Sequence, residues 1–98
     1  MKVITELIDN MEQELYLAKL YAQNFLIYNA EGNRELARRF KIMSNESIRH
    51  ADVIHEVTIK NIQTLSESYT PPEEMLQIWN KKHNMYEDIV NWIKQIIK

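Results

Sequence analysis

Three residues with chemical capacity stand where the pattern of the chain asks for apolar ones. Glu14 interrupts a row of apolar side chains in the first third of the sequence, and Ser47 and His50 interrupt a second row near its middle. A carboxylate beside an imidazole is a metal-ligand pair, a proton-transfer pair or a hydrogen-bonded pair. A buried carboxylate with no such partner is expensive. The spacing brings the two groups together: eighteen residues separate Glu14 from Gly32, and eighteen more separate Gly32 from His50. At about 1.5 Å of rise per residue, two helices antiparallel about Gly32 place Glu14 and His50 at one height. Glu46, four residues before His50, can share its helix surface, and Tyr21 lies seven residues after Glu14.

The elements that must position these groups are helices. One glycine and two prolines in 98 residues cannot supply the turns of a β-sandwich or barrel. Leu7, Met11, Glu14, Ala18, Tyr21, Phe25 and Tyr28 fall within an arc of roughly 100° at helical spacing. Leu36, Phe40, Met43, Ser47, His50, Ala51, Ile54, Thr58, Ile62 and Leu65 form the matching row of a second helix. The spacing predicts helices over about 3–30, 34–66 and 71–97 in a single domain spanning 1–98. Gly32 suits a left-handed position after the first helix, and Asn33 suits the cap of the second. Thr70-Pro71-Pro72-Glu73 reads as a capping box, with Thr70 as the cap and Pro71 at the first helical position.

The third helix differs, because its apolar residues spread over an arc of roughly 160°, more than one partner helix covers. That surplus predicts a second packing surface, most simply a homodimer. The candidate interface residues are Trp79, Lys82, His83, Tyr86, Ile89, Trp92, Ile93 and Ile96. His55 projects about 100° from the apolar row of the second helix and reads as a surface histidine.

From Glu14 to Ala51 the chain resembles one helical hairpin of the ferritin-like superfamily, nearest to rubrerythrins. The residues that carry the resemblance are Glu14, Tyr21, Gly32, the run Leu36-Ala37-Arg38-Arg39-Phe40, Met43-Ser44 and His50-Ala51. The fold so implied is an all-α, three-helix ferritin-like chain, a long antiparallel hairpin plus a third helix, completing its bundle by homodimerisation. The resemblance makes Glu14 and His50 metal ligands, with Glu46 a further candidate, and places Tyr21 and Ser47 just behind them. It also exposes a departure, since Ser47 occupies the position of the glutamate that bridges two irons in the family's Glu-x-x-His pattern. Two copies of Glu14 and His50 would hold at most one zinc, manganese or iron ion. The other reading is a metal-free Glu14–His50 hydrogen bond that fixes helix register, with no cofactor. Short ferritin-like chains with a third helix resembling Pro71, Pro72, Met75, Trp79, His83 and Tyr86 are associated with bacteriophages and prophages, which implies an accessory protein that binds and inhibits a host protein.

Composition narrows the choice. The absence of cysteine excludes disulfide scaffolds, thiolate metal sites and cysteine nucleophiles. A single glycine excludes the usual phosphate-binding loops. No apolar stretch reaches the roughly 18–20 residues needed to span a bilayer, and the charged N-terminal residues do not resemble a signal peptide, so a cytoplasmic location is expected. A net charge of −2 argues against a broad nucleic-acid surface, although Arg34, Arg38, Arg39, Lys41 and Arg49 are locally basic. The sequence therefore points to a non-catalytic helical interaction module with an unidentified protein partner. The alternative is a metal-binding protein of iron, peroxide or oxygen chemistry built on Glu14 and His50.

Overall fold

The structure, a computed structural model, describes residues 2–68 and 70–97. Among them the regular structure is three α-helices: α1 (Lys2–Ala30), α2 (Arg34–Ser68) and α3 (Glu73–Ile96). The chain runs up, down and up again as a rod of 55 × 19 × 17 Å. Ile4 and Ile8 of α1 pack with Met75 at one end. Ala18 and Ala22 share the second cluster with Val90, Ile93 and Ile97, so α3 lies parallel to α1 and antiparallel to α2.

The hairpin turn follows from two residues. Gly32 has φ +81°, a conformation that side chains with a Cβ resist. The Asn33 N–H bonds to the Tyr28 carbonyl at 2.9 Å and the Gly32 N–H to that of Asn29 at 3.2 Å, which closes α1 with a Schellman motif. Asn33 then caps α2, its side-chain oxygen accepting from the Leu36 N–H at 3.2 Å.

The start of α3 departs from the sequence reading. Thr70 is not the cap and Pro71 is not helical: Pro72 is the N-cap, with ψ 136° and no side-chain cap bond, and the helix begins at Glu73. The reason is local, because a residue that precedes proline is pushed out of the helical region, and Pro71 precedes Pro72. Glu73 and Glu74 supply negative charge to the first turn instead.

The buried seam is also turned from the expected rows. On α1 it consists of Ile4, Ile8, Met11, Leu15, Ala18 and Ala22, and on α2 of Ala37, Ser44, Ser47, Ile48, Ala51 and Thr58. Both seams are rotated from the predicted rows by roughly 50–70° in the same sense. Met11, Ala18, Ser47, Ala51 and Thr58 belong to both. Small residues dominate where the hairpin helices meet, and there the buried Ser44 hydroxyl donates to the Ala18 carbonyl at 2.8 Å. The rotation leaves Glu14 at the margin and turns His50 outward. It also brings His55 to within about 30° of the centre of the α2 seam.

Replacing Gly32 by alanine is expected to lower stability by about 1 kcal/mol, the cost of forcing a Cβ into the left-handed region, although nothing crowds the added methyl. Urea unfolding measures it, and an unchanged midpoint would refute this account of the turn.

Candidate functional site

Glu14 and His50 do meet, as their equal distances from Gly32 require: His50 Nδ1 lies 3.5 Å from Glu14 Oε2. The contact sits on the outer side of the hairpin rather than inside it. The His50 side chain is 63% exposed and that of Glu14 27%. An exposed pair of this kind contributes roughly 0–1 kcal/mol. It records the register of the hairpin, while the buried seam stabilises it.

The neighbours expected to complete a metal centre are not gathered there. Glu46 is exposed, and Ser47 is buried in the seam between the helices. Tyr21 is half-buried against the Phe40 ring, with centroids 6.1 Å apart. Among the described residues no three His, Asp or Glu side chains stand together as a metal-binding group. The donor set does not fit a two-metal carboxylate centre of the kind that the ferritin-like resemblance implies, because the position of the bridging carboxylate carries a buried hydroxyl.

The densest polar cluster lies between α2 and α3. His55 Nε2 is 2.8 Å from His83 Nδ1, and His83 Nε2 is 3.1 Å from Glu87 Oε1. One residue pair away, the Tyr86 hydroxyl donates to Asp52 Oδ1. The rings form one layer: His55 lies 4.4 Å from Tyr86 at an interplanar angle of 11°, 5.0 Å from His83 at 25°, and 5.4 Å from Trp79, whose ring is tilted against it. His55 is thus a half-buried contact between α2 and α3 and not a surface histidine. Burial lowers its pKa, and the adjacent His83 lowers it further, against the opposing pull of Asp52, Glu87 and Glu56. Burial likewise pushes the Tyr86 phenol upward, reinforced by its hydrogen bond to Asp52 and by that carboxylate's charge.

Of the residues expected at an interface, Trp79, His83 and Tyr86 therefore engage α2 of their own chain. Ile93 is buried in the core, and Lys82 pairs with Glu12 of α1 at 2.6 Å. Ile89, Trp92 and Ile96 remain half-buried at the outer edge of α3. Beside them runs a groove between α1 and α3 of about 700 Å³, whose walls include Tyr16, Leu17, Met85 and Ile89. It adjoins a second hollow of about 420 Å³, lined in part by Glu74, Ile78 and Lys82, with Asp9 and Glu12 common to both.

The His55 cluster has a sequence signal that helical periodicity alone misses. Asp52 and His55 are three residues apart on α2, and His83 and Tyr86 are three apart on α3. In antiparallel helices those two pairs meet in opposite order, Asp52 with Tyr86 and His55 with His83.

Tyr86→Phe is expected to lower stability by about 1–3 kcal/mol, since it removes a hydrogen bond to a half-buried carboxylate. It should also change the alkaline limb. A phenol whose folded pKa is raised adds stability that is complete below the unfolded value of about 10 and declines as pH climbs past it. In a titration followed by tyrosinate absorbance, one of the five phenols ionises last, and the variant loses that step. An unaltered late phase would exclude Tyr86 as its source. Comparison of the chain with family models, with curated proteins and with solved structures returns no match.

Proposed function

We propose that this chain is a non-catalytic interaction module, a ferritin-like hairpin with a third helix that acts by docking through the outer face of α1 and α3. The observation that carries the reading is a row of exposed apolar residues on α1, Tyr16 at 68%, Leu20 at 40% and Ile27 at 52%. Tyr16 lines the groove with the half-buried Met85 and Ile89 of α3, and Leu20 and Ile27 continue its row along α1 at helical spacing. Scattered apolar residues need no explanation, but a row that continues from one helix to the next marks an interaction surface. A second copy of the chain is the occupant proposed for it, and a homodimer then completes the bundle that three helices leave open. By the resemblance to phage-associated chains, the same surface or its dimer would serve to bind and inhibit a host protein.

Sedimentation equilibrium tests the reading. A dimer is expected, with Leu20→Asp and Trp92→Asp each weakening it at least tenfold, about 1.4 kcal/mol. A monomer at all accessible concentrations would defeat the self-association arm.

The contact of Glu14 with His50 favours one other reading, a mononuclear metal site. Metal analysis of untagged protein separates the two. Near-stoichiometric iron, manganese or zinc, lost in both Glu14→Ala and His50→Ala, would replace the interaction reading with the metal one. The expected result is metal far below stoichiometry, with Ser47→Glu newly conferring iron binding if the scaffold is ferritin-like.

A further inference from the structure

We propose that His55 and His83 form a two-proton latch, which closes the middle of the α2–α3 contact at neutral pH and opens it on mild acidification. The inference goes beyond the docking reading and holds whether or not the α1/α3 groove has a partner.

The hydrogen-bond chain assigns the tautomers. Glu87 Oε1, 3.1 Å from His83 Nε2, favours the proton on that nitrogen; His83 Nδ1 is then the acceptor, and His55 Nε2–H donates to it. The first added proton leaves the hydrogen bond itself in place, although it binds the docked ring less readily than the free one. It enters at the free Nδ1 of His55, and the resulting imidazolium still donates from Nε2 to His83. A second proton must take the last acceptor, Nδ1 of His83. Two N–H groups then face each other across a 2.8 Å contact, each on a cation, and no acceptor lies between them. The contact fails at that step.

The surroundings decide where it fails. From α2, Asp52 and Glu56 favour charge on His55, as Glu87 does from α3; Asp52 is already engaged by the Tyr86 hydroxyl. From α1 comes Glu12, and it is paired with Lys82. Against these carboxylates stand burial and the second imidazole, and together they outweigh them, so His55 takes up its proton less readily than a free histidine. The unfolded or undocked ring binds protons more tightly than the docked one. Docking is therefore complete above the free value of about 6.5 and is lost as pH falls below it.

Release is local because α3 is held differently on its two sides. Its backbone approaches α1 more closely than α2, and the gap to α2 is bridged in its middle by the layer of Trp79, His83 and Tyr86 on His55, with apolar clusters on either side that join Met75 to Ile62 and Leu65, and Val90 and Ile93 to Ile48 and Ala51. Met75, Val90 and Ile93 keep their buried contacts with the rest of the core. Acidification thus opens an aromatic layer while the α1 contact remains.

Fluorescence of Trp79, isolated in a Trp92→Phe background, reads the opening between pH 7.5 and pH 5. A transition below about 6.5 with the steepness of two protons is expected. His55→Gln and His83→Gln should each abolish it, and His50→Gln should leave it unchanged. Histidine ring NMR on the unaltered chain reports on the pair independently of whether the variants fold, with the His55 and His83 signals moving together with the Trp79 change. The proposal is overturned by a transition that persists in either glutamine variant, or by two histidines that titrate fully while the Trp79 environment stays constant.

Discussion

The close approach of α1 and α2 sets what the third helix can meet. Ala18 and Ala22 on one helix face Ala37, Ser44 and Ala51 on the other, all buried, and the Ser44 hydroxyl reaches across to the Ala18 backbone. Leu15 and Ile48 are the large side chains buried beside them, and the aromatic residues of the hairpin stand on its two flanks. On one flank they are half-buried rings, Tyr21, Tyr28 and Phe40, with the Tyr28 and Phe40 centroids 5.5 Å apart. On the other flank the third helix must be accommodated. It meets α2 through Trp79, His83 and Tyr86, which hold the two backbones further apart than the small residues hold α1 and α2.

That division explains what the sequence disclosed and what it concealed. The turn is legible because it rests on residue types with few alternatives: Gly32 is the chain's one glycine, and Asn33 has an oxygen to cap with. The level of Glu14 with His50 is legible because the rise of a helix is fixed. The face is another matter. A tyrosine or phenylalanine body carries more apolar surface than an alanine or serine, so a row that follows the rings leans toward their flank and away from Ala18, Ala22, Ser44 and Ala51. An offset of less than one residue's turn about the helix axis then turns His50 to the surface and brings the half-buried His55 into contact with α3. Glu46, four residues before His50, is exposed with it, and Tyr21 is half-buried on the ring-bearing flank.

The start of α3 shows a second kind of limit. Four residues matched a capping motif by type, yet the motif cannot form when its first helical residue is itself followed by proline. Pattern and stereochemistry disagreed, and stereochemistry prevailed. The ring layer between α2 and α3 was hidden for a different reason: it depends on two helices at once, and only the antiparallel pairing of two three-residue spacings reveals it.

The polar layer also does something that an apolar one would not. Around the helix, α3 carries an apolar residue in nearly every turn, from Met75 through Trp79, Met85, Ile89 and Trp92 to Ile96, so an interface of oily contacts alone would tolerate slippage by one turn. Slippage of three residues would set His83 opposite Asp52 and His55 opposite Asn80, and would carry the Tyr86 hydroxyl toward Arg49, a donor where it now has an acceptor. The observed register alone satisfies Tyr86 with Asp52 and His55 with His83 together, while Lys82 on the neighbouring face meets Glu12. Buried polar pairs add little net stability, and their best-attested use is to select one register among several. Here that selection is made by two imidazoles, whose ability to pair depends on proton concentration. The group that fixes the position of α3 is therefore also the group through which pH can open the middle of its contact with α2.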